Sequence, residues 1–313
     1  MAGNTETRQY AIEQIDRLLG QLAFQISRTL RSHDPPSVHA LRVAIRRFSQ
    51  ALLVFAPCFP AKDIKKIRFR LGEIMAPARE VRDCDLASHL LTESKLAEAA
   101  ALQARLGRQR KDAERILLGI LKRWMQRKSS LKWRTRLQGA FEAKKKTLPE
   151  TAEDAAAGML PNLAKKFFDR GSQAVDHSRG SADGIPSFRI AVKKFRYTLE
   201  LFAPLYDPPL VTWLERIKSV HALAGGIDDC AAVRKMLARG AGGEAVDAEL
   251  RKKQRKQIEE FLREWTAAFA SPDHARYWIH YLQYTAGKRQ TDRKPMARSA
   301  TASSSPLRSS QRA

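Results

Sequence analysis

The chain has 313 residues, with 57 Lys and Arg against 33 Asp and Glu, a formal net charge of +24 at pH 7. That excess is far more than solubility requires and points to a polyanionic partner, while 43% hydrophobic residues suffice for a sizeable core in one large or two medium domains. The longest nearly apolar run, Ala51–Phe59, is too short to span a bilayer and is interrupted by Pro57, which excludes a membrane span of that kind.

In chain order, Arg8 to Arg31 reads as an opening helix, and His33-Asp34 before two prolines reads as its stop. The next helix carries Leu41, Ile45, Phe48, Leu52 and Phe55 on one stripe at 100° per residue, facing a core. With Leu41 as zero, Arg42, Arg46 and His39 fall near about 100°, 140° and 160°, a narrow second stripe of cations. That stripe is not core, so exchanging Arg42 and Arg46 for Ala is expected to leave stability nearly unchanged. Leu71–Asp85, LGEIMAPAREVRDCD, then reads as a helix, a short turn and a new helix. Asp83 and Asp85 there, like Asp228 and Asp229 later, read as helix-start residues that accept backbone N–H bonds, in preference to metal ligands.

From Leu102 to Lys146 the chain holds 15 basic residues against three acids. Leu117, Leu121, Trp124 and Met125 follow helical spacing, which makes Trp124 core; Trp133 is open between core and a stacking platform. Lys144, Lys145 and Lys146 are either phosphate contacts or the charged last turn of a helix. Thr151 to His177 reads as the next long helix. Beyond Ala286 the chain is rich in Ser, Arg and Pro and poor in large apolar residues, as expected of a disordered basic tail over 286–313. Without that tail, which holds seven basic residues and one acid, the body keeps +18.

Two stretches repeat. LRVAIRRFSQALLVFAPCF at Leu41–Phe59 aligns without a gap on FRIAVKKFRYTLELFAPLY at Phe188–Tyr206, an offset of 147 residues. Arg189, Lys193 and Arg196 form the matching cationic stripe. After a one-residue slip, Val81, Asp83 and Cys84 are matched by Ile227, Asp229 and Cys230 in IKSVHALAGGIDDCA, Ile217–Ala231.

The ordered set VHALRVAIRR, VRDCD, FRIAVKKFRYTLE and GGIDD resembles the CHAD family, the histidine-containing α-helical domain of prokaryotes. The resemblance implies an all-α fold of two pseudo-symmetric four-helix-bundle repeats around a basic central groove or pore that binds inorganic polyphosphate. It spans residues 5–285: a first repeat at about 5–100, inserted basic helices at about 100–148 forming an added hairpin where the repeat breaks down, and a second repeat at about 149–285. The site residues it implies are His39, Arg42, Arg46, Arg47, Arg189, Lys193 and Lys194, with Arg82, Arg196 and Tyr197 as further lining. Lys65, Lys66, Arg68, Arg70 and Lys218 lie on the third helices of the repeats and are expected to face the same polyphosphate-binding cavity. Arg47 and Lys194, nearer about 240° on their helices, are expected to flank the groove. The family's second histidine falls on Pro186, with His221 as a partial substitute, and Asp228 stands where Asn is more typical.

No catalytic, metal or cofactor signature accompanies these residues. A G-x-x-x-x-G-K-[ST] loop is absent, RGAGGE at Arg239–Glu244 lacks a preceding strand, and no alternating Glu-x-Glu-x-Lys strand is found. Non-catalytic binding of polyphosphate is therefore expected, with association to polyphosphate or polyester granules, and nucleic acid as the alternative partner because it shares the phosphate backbone. Cys58, Cys84 and Cys230 form no CxxC pair, and no apolar leader follows Met1, so a cytoplasmic protein is expected. Cys84 and Cys230 read as small buried fillers.

Overall fold

A computed structural model describes residues 6–94, 99–139, 149–178, 184–237 and 244–284. The disordered-tail expectation, Lys144 to Lys146 and most of the RGAGGE stretch lie outside these residues. Among the described residues the regular elements are helices, and the β pairing is limited to an isolated backbone bridge between Glu6 and Thr151. None of the helices is long and apolar enough to cross a membrane.

Helix α1, Thr7–Ser32, ends where His33 turns left-handed at φ 33°. Asp34 then accepts the Ser37 N–H at 2.8 Å and, with two prolines in the first turn, starts α2, Pro35–Val54. A 3₁₀ turn, Ala56–Cys58, leads to α3, Ala61–Ser94; α4 is Ala99–Gln126 and α5 is Ser129–Gln138. The second run follows the same order: α6, Ala152–Ser178; α7, Ile185–Phe202; a 3₁₀ turn, Ala203–Leu205; α8, Pro209–Leu237; α9, Glu244–Ala268; and α10, Pro272–Tyr284. Pro186 starts α7 as expected of a proline in the first turn.

Two sequence expectations change. The basic segment is no addition to the first half: α4 packs along α3 as α9 packs along α8, and α5 packs on α1 as α10 packs on α6. The sequence repeat fades there because only the buried positions must keep their character. Nor do α3 and α8 break into two. Pro77 lies inside α3 and Gly225 and Gly226 inside α8, and both helices continue because Ala78, Val81, Ala224 and Ile227 are buried in the core on either side. Asp83, Asp85, Asp228 and Asp229 are therefore mid-helix, where backbone N–H groups are already bonded, and their carboxylates turn to side chains instead.

The halves meet at two apolar junctions. In the main core Phe55 and Phe202, matched positions of the repeat, touch edge to face at 5.6 Å, and Tyr10 stacks on Phe202 while donating to the Leu201 carbonyl at 2.6 Å. At the far ends of the long hairpins a separate cluster joins Cys84, Ala87, Leu90 and Leu91 of α3 to Val233, Val246 and Leu250 of α8 and α9. Trp124 is core as expected, and so is Trp133, stacked on Phe48 at 6.2 Å and edge-on to Trp124; Met125, by contrast, is exposed.

Candidate functional site

Between the two junctions, α2, α3, α7 and α8 turn their charged stripes toward one another. The core stripe of α2 fixes this: with Leu41, Ile45, Phe48 and Leu52 buried, His39, Arg42 and Arg46 must point elsewhere. Arg42 is itself only 8% exposed and donates through Nη1 to the carbonyls of Ala78 at 3.3 Å and Arg79 at 3.1 Å. The expectation that this stripe lies wholly outside the core is therefore corrected at Arg42.

The same ion pair is built in each half. Arg42 Nη1 lies 3.8 Å from Asp83 Oδ1, and Arg189 Nη2, the repeat match of Arg42, lies 3.7 Å from Asp229 Oδ1. Arg189 also pairs with Asp228. The acids thus orient Arg42 and Arg189.

Burial and mutual repulsion show in the titration of the group. Burial first, then Arg46, lowers Arg42 to about 10. Lys193 is brought down to about 8 by burial and then by Arg46, Arg189, Arg79 and Arg42. His39 is pushed below its usual value by burial and by Arg82, Arg42 and Arg46. Burial holds His221 down at about 3, helped by Arg196, Arg189, Arg46 and Lys193. Arg189 is lowered by burial, against the pull of Asp229. Asp83 is raised, because burial outweighs its neighbouring arginines. Cations from both halves therefore feel one another through partly desolvated space, and a polyanion placed there relieves the strain.

A family model for the CHAD domain matches residues 13–238. The chain belongs to the CHAD family. Among solved structures it is similar to the CHAD domain from the plant Ricinus communis, at 20% identity and TM-score 0.60 over 90% of this chain and 93% of that one. It is also similar to PptA from Streptomyces chartreusis, at 16% identity and TM-score 0.56 over 85% of this chain and 100% of that one. These likenesses bear on the fold. No curated protein matches.

Within this CHAD chain the predicted residues fall into groups. His39, Arg42, Arg46, Arg82, Arg189 and Lys193 come together, and Arg196 and His221 adjoin them. Tyr197 is buried beneath the Arg196 guanidinium at 4.5 Å and edge-on to His221 at 6.5 Å. Arg47 instead donates to Glu200, and with Lys218 and Tyr197 it lines a small side pocket of about 180 Å³. Lys194 is exposed on the outer side of α7, and Lys65 and Arg68 are exposed near the start of α3. Lys66 and Arg70 line a different cleft, against α4 and α5.

Arg79 is the residue that sequence reasoning missed. Its position in the repeat is taken by Gly225, so the comparison of halves gave no signal. Its place three residues before Arg82, on the same face of a continuous α3, was the available clue. Among the described residues no group of three or more His, Cys, Asp or Glu is placed to hold a metal ion. The three cysteines are buried thiols, and burial raises Cys58 and Cys84 to about 11, which suits filler rather than nucleophile.

Proposed function

We propose that this protein binds inorganic polyphosphate, without turning it over, across the cationic set shared by its two halves. The observation that carries the reading is the convergence of Arg42, Arg46, Arg79 and Arg82 with Arg189 and Lys193, close enough that Arg46 and Arg79 help to lower Arg42, Arg189 and Lys193. Linear polyphosphate is a backbone of charge with no bases, so it calls for dense cations and no readout apparatus. Guanidinium groups suit it best, since each grips two phosphate oxygens at once. The nearby carboxylates of Asp83, Asp228 and Asp229 face arginines, which supports a buttressing role for them.

Such binding would bring the protein to polyphosphate granules, and imaging of a tagged protein against a granule stain tests that extension. The binding itself is tested by competition. Long-chain polyphosphate is expected to displace duplex and single-stranded DNA at equal phosphate concentration. Displacement of polyphosphate by nucleic acid would transfer the site to the alternative partner.

A further inference from the structure

On α3, Lys66, Arg70, Glu73 and Pro77 recur at helical spacing, roughly opposite the face that carries Arg79 and Arg82. With α4 and α5 they enclose a cleft of about 480 Å³, within the range of small-molecule sites. Its floor is aliphatic, built from Ile74, Pro77, Ile116 and Ile120. Its rim is cationic: Lys66, Arg70, Arg123, Arg127, Lys132 and Arg136 surround a single carboxylate, Glu73, which is already paired with Arg70 at 2.7 Å. Among the described residues no carboxylate pairs with Arg123, Arg127, Lys132 or Arg136.

A further observation points to a ligand with an apolar part. Ile116 stands 55% exposed in the midst of these cations. Inorganic phosphate chains would use the rim and leave the floor in water. Nucleobases would need aromatic faces, but Trp133 is stacked on Phe48 and edge-on to Trp124, so both indoles belong to the core.

We propose that this cleft binds a small amphipathic anion, a medium-length acyl chain ended by a carboxylate or phosphate, taken as a free monomer from solution. The head group sits among Arg123, Arg127 and Arg136, and the chain lies on the isoleucine floor. Each buried methylene adds affinity, so binding strengthens with chain length, which charge attraction alone would not produce. The site shares no residue with the cations gathered between the two halves.

The test uses calorimetry on the full chain with dodecanoate and dodecyl phosphate below their micelle concentrations. Saturable one-site binding is expected, at least tenfold tighter than hexanoate, with none detectable for acetate. Arg127→Gln with Arg136→Gln, and separately Ile116→Glu, should each weaken it tenfold or more at unchanged melting temperature, since all three side chains are exposed. Arg46→Ala with Lys193→Ala should leave it unchanged. Competition by acetate or pyrophosphate as strong as by dodecanoate would overturn the proposal, as would unchanged binding in both rim and floor variants. Binding to phosphatidylglycerol vesicles without binding of the monomer would likewise overturn it in favour of surface association.

Discussion

Arg47 Nε donates to Glu200 Oε2 at 2.9 Å, joining α2 to α7 across 153 residues of sequence. The other oxygen of that carboxylate lies 3.4 Å from Arg196 Nε, and the Glu200 side chain is only 15% exposed. One acid therefore holds a cation from each half.

Glu200→Gln should leave two half-buried guanidinium groups without their counter-charge and destabilise the fold by roughly 1–3 kcal/mol. Denaturant titration measures this. Because Arg47 is engaged by Glu200 and not gathered with Arg46, Arg47→Gln is expected to lower stability more than polyphosphate affinity.

Arg46 and Lys193 are partly exposed and carry no ion pair with a described residue, so they report binding without disturbing the core. Arg46→Ala with Lys193→Ala should weaken long-chain polyphosphate binding by at least tenfold, given about 1.5–3 kcal/mol per charge-assisted bond, while the melting temperature stays nearly constant. Arg42→Ala should weaken binding and also lower the melting temperature, because it strips the Ala78 and Arg79 carbonyls of a buried donor.

Lys193, at about 8 in the free protein, loses its charge as pH rises from 7 to 9. A bound polyanion favours the protonated amine, so affinity should fall across that interval and binding should take up protons near pH 8. Lys193→Arg should flatten the profile, as calorimetry in buffers of different ionisation enthalpy will show. Below neutrality His39, lowered in the free protein, gains charge and should tighten binding modestly. His39→Gln should abolish that rise. His221, at about 3, stays neutral throughout, and its replacement by Gln should leave the profile unchanged.

Affinity should fall steeply and log-linearly with salt, the slope counting several neutralised phosphates by analogy with counterion release from DNA. A flat response measured by fluorescence anisotropy would remove the electrostatic basis of the site. Deletion of residues 286–313 should leave most of the affinity intact.

Gly171 has Trp265 pressed against it: a β-carbon there would clash with Cη2 of that buried ring. Gly171→Ala should therefore destabilise the protein by about 1–3 kcal/mol, despite a helix-propensity gain of about 1 kcal/mol. Gly226→Ala meets only the movable amide of Gln257 and should cost less.

The fold was legible where burial constrains sequence. Phe55 and Phe202, at matched repeat positions, are in contact, and the helix stop read at His33-Asp34 falls where α1 ends. Pro77 and the Gly225-Gly226 pair misled because local propensity favours a break there, whereas packing on both sides holds each helix together. The cationic cluster was legible in its repeated half, Arg42 with Arg189 and Arg46 with Lys193. Arg79 lacks a counterpart and was hidden. Lys66 and Arg70 looked equivalent to Lys65 and Arg68 until the cleft against α4 and α5 separated them, since charge alone carries no direction.

The junction of α3 with α8 and α9 has a mechanical consequence. A clamp that closes on its ligand needs one loose joint, yet here the halves are fastened on both sides of the charges, by Phe55 and Phe202 at one and by Leu90, Leu91, Val233 and Leu250 at the other. Hinge rotation about either fastening would tear the other. Two fastenings predict a rigid frame: the radius of gyration in solution scattering should be the same with and without polyanion, and the association rate should follow charge steering rather than a conformational step.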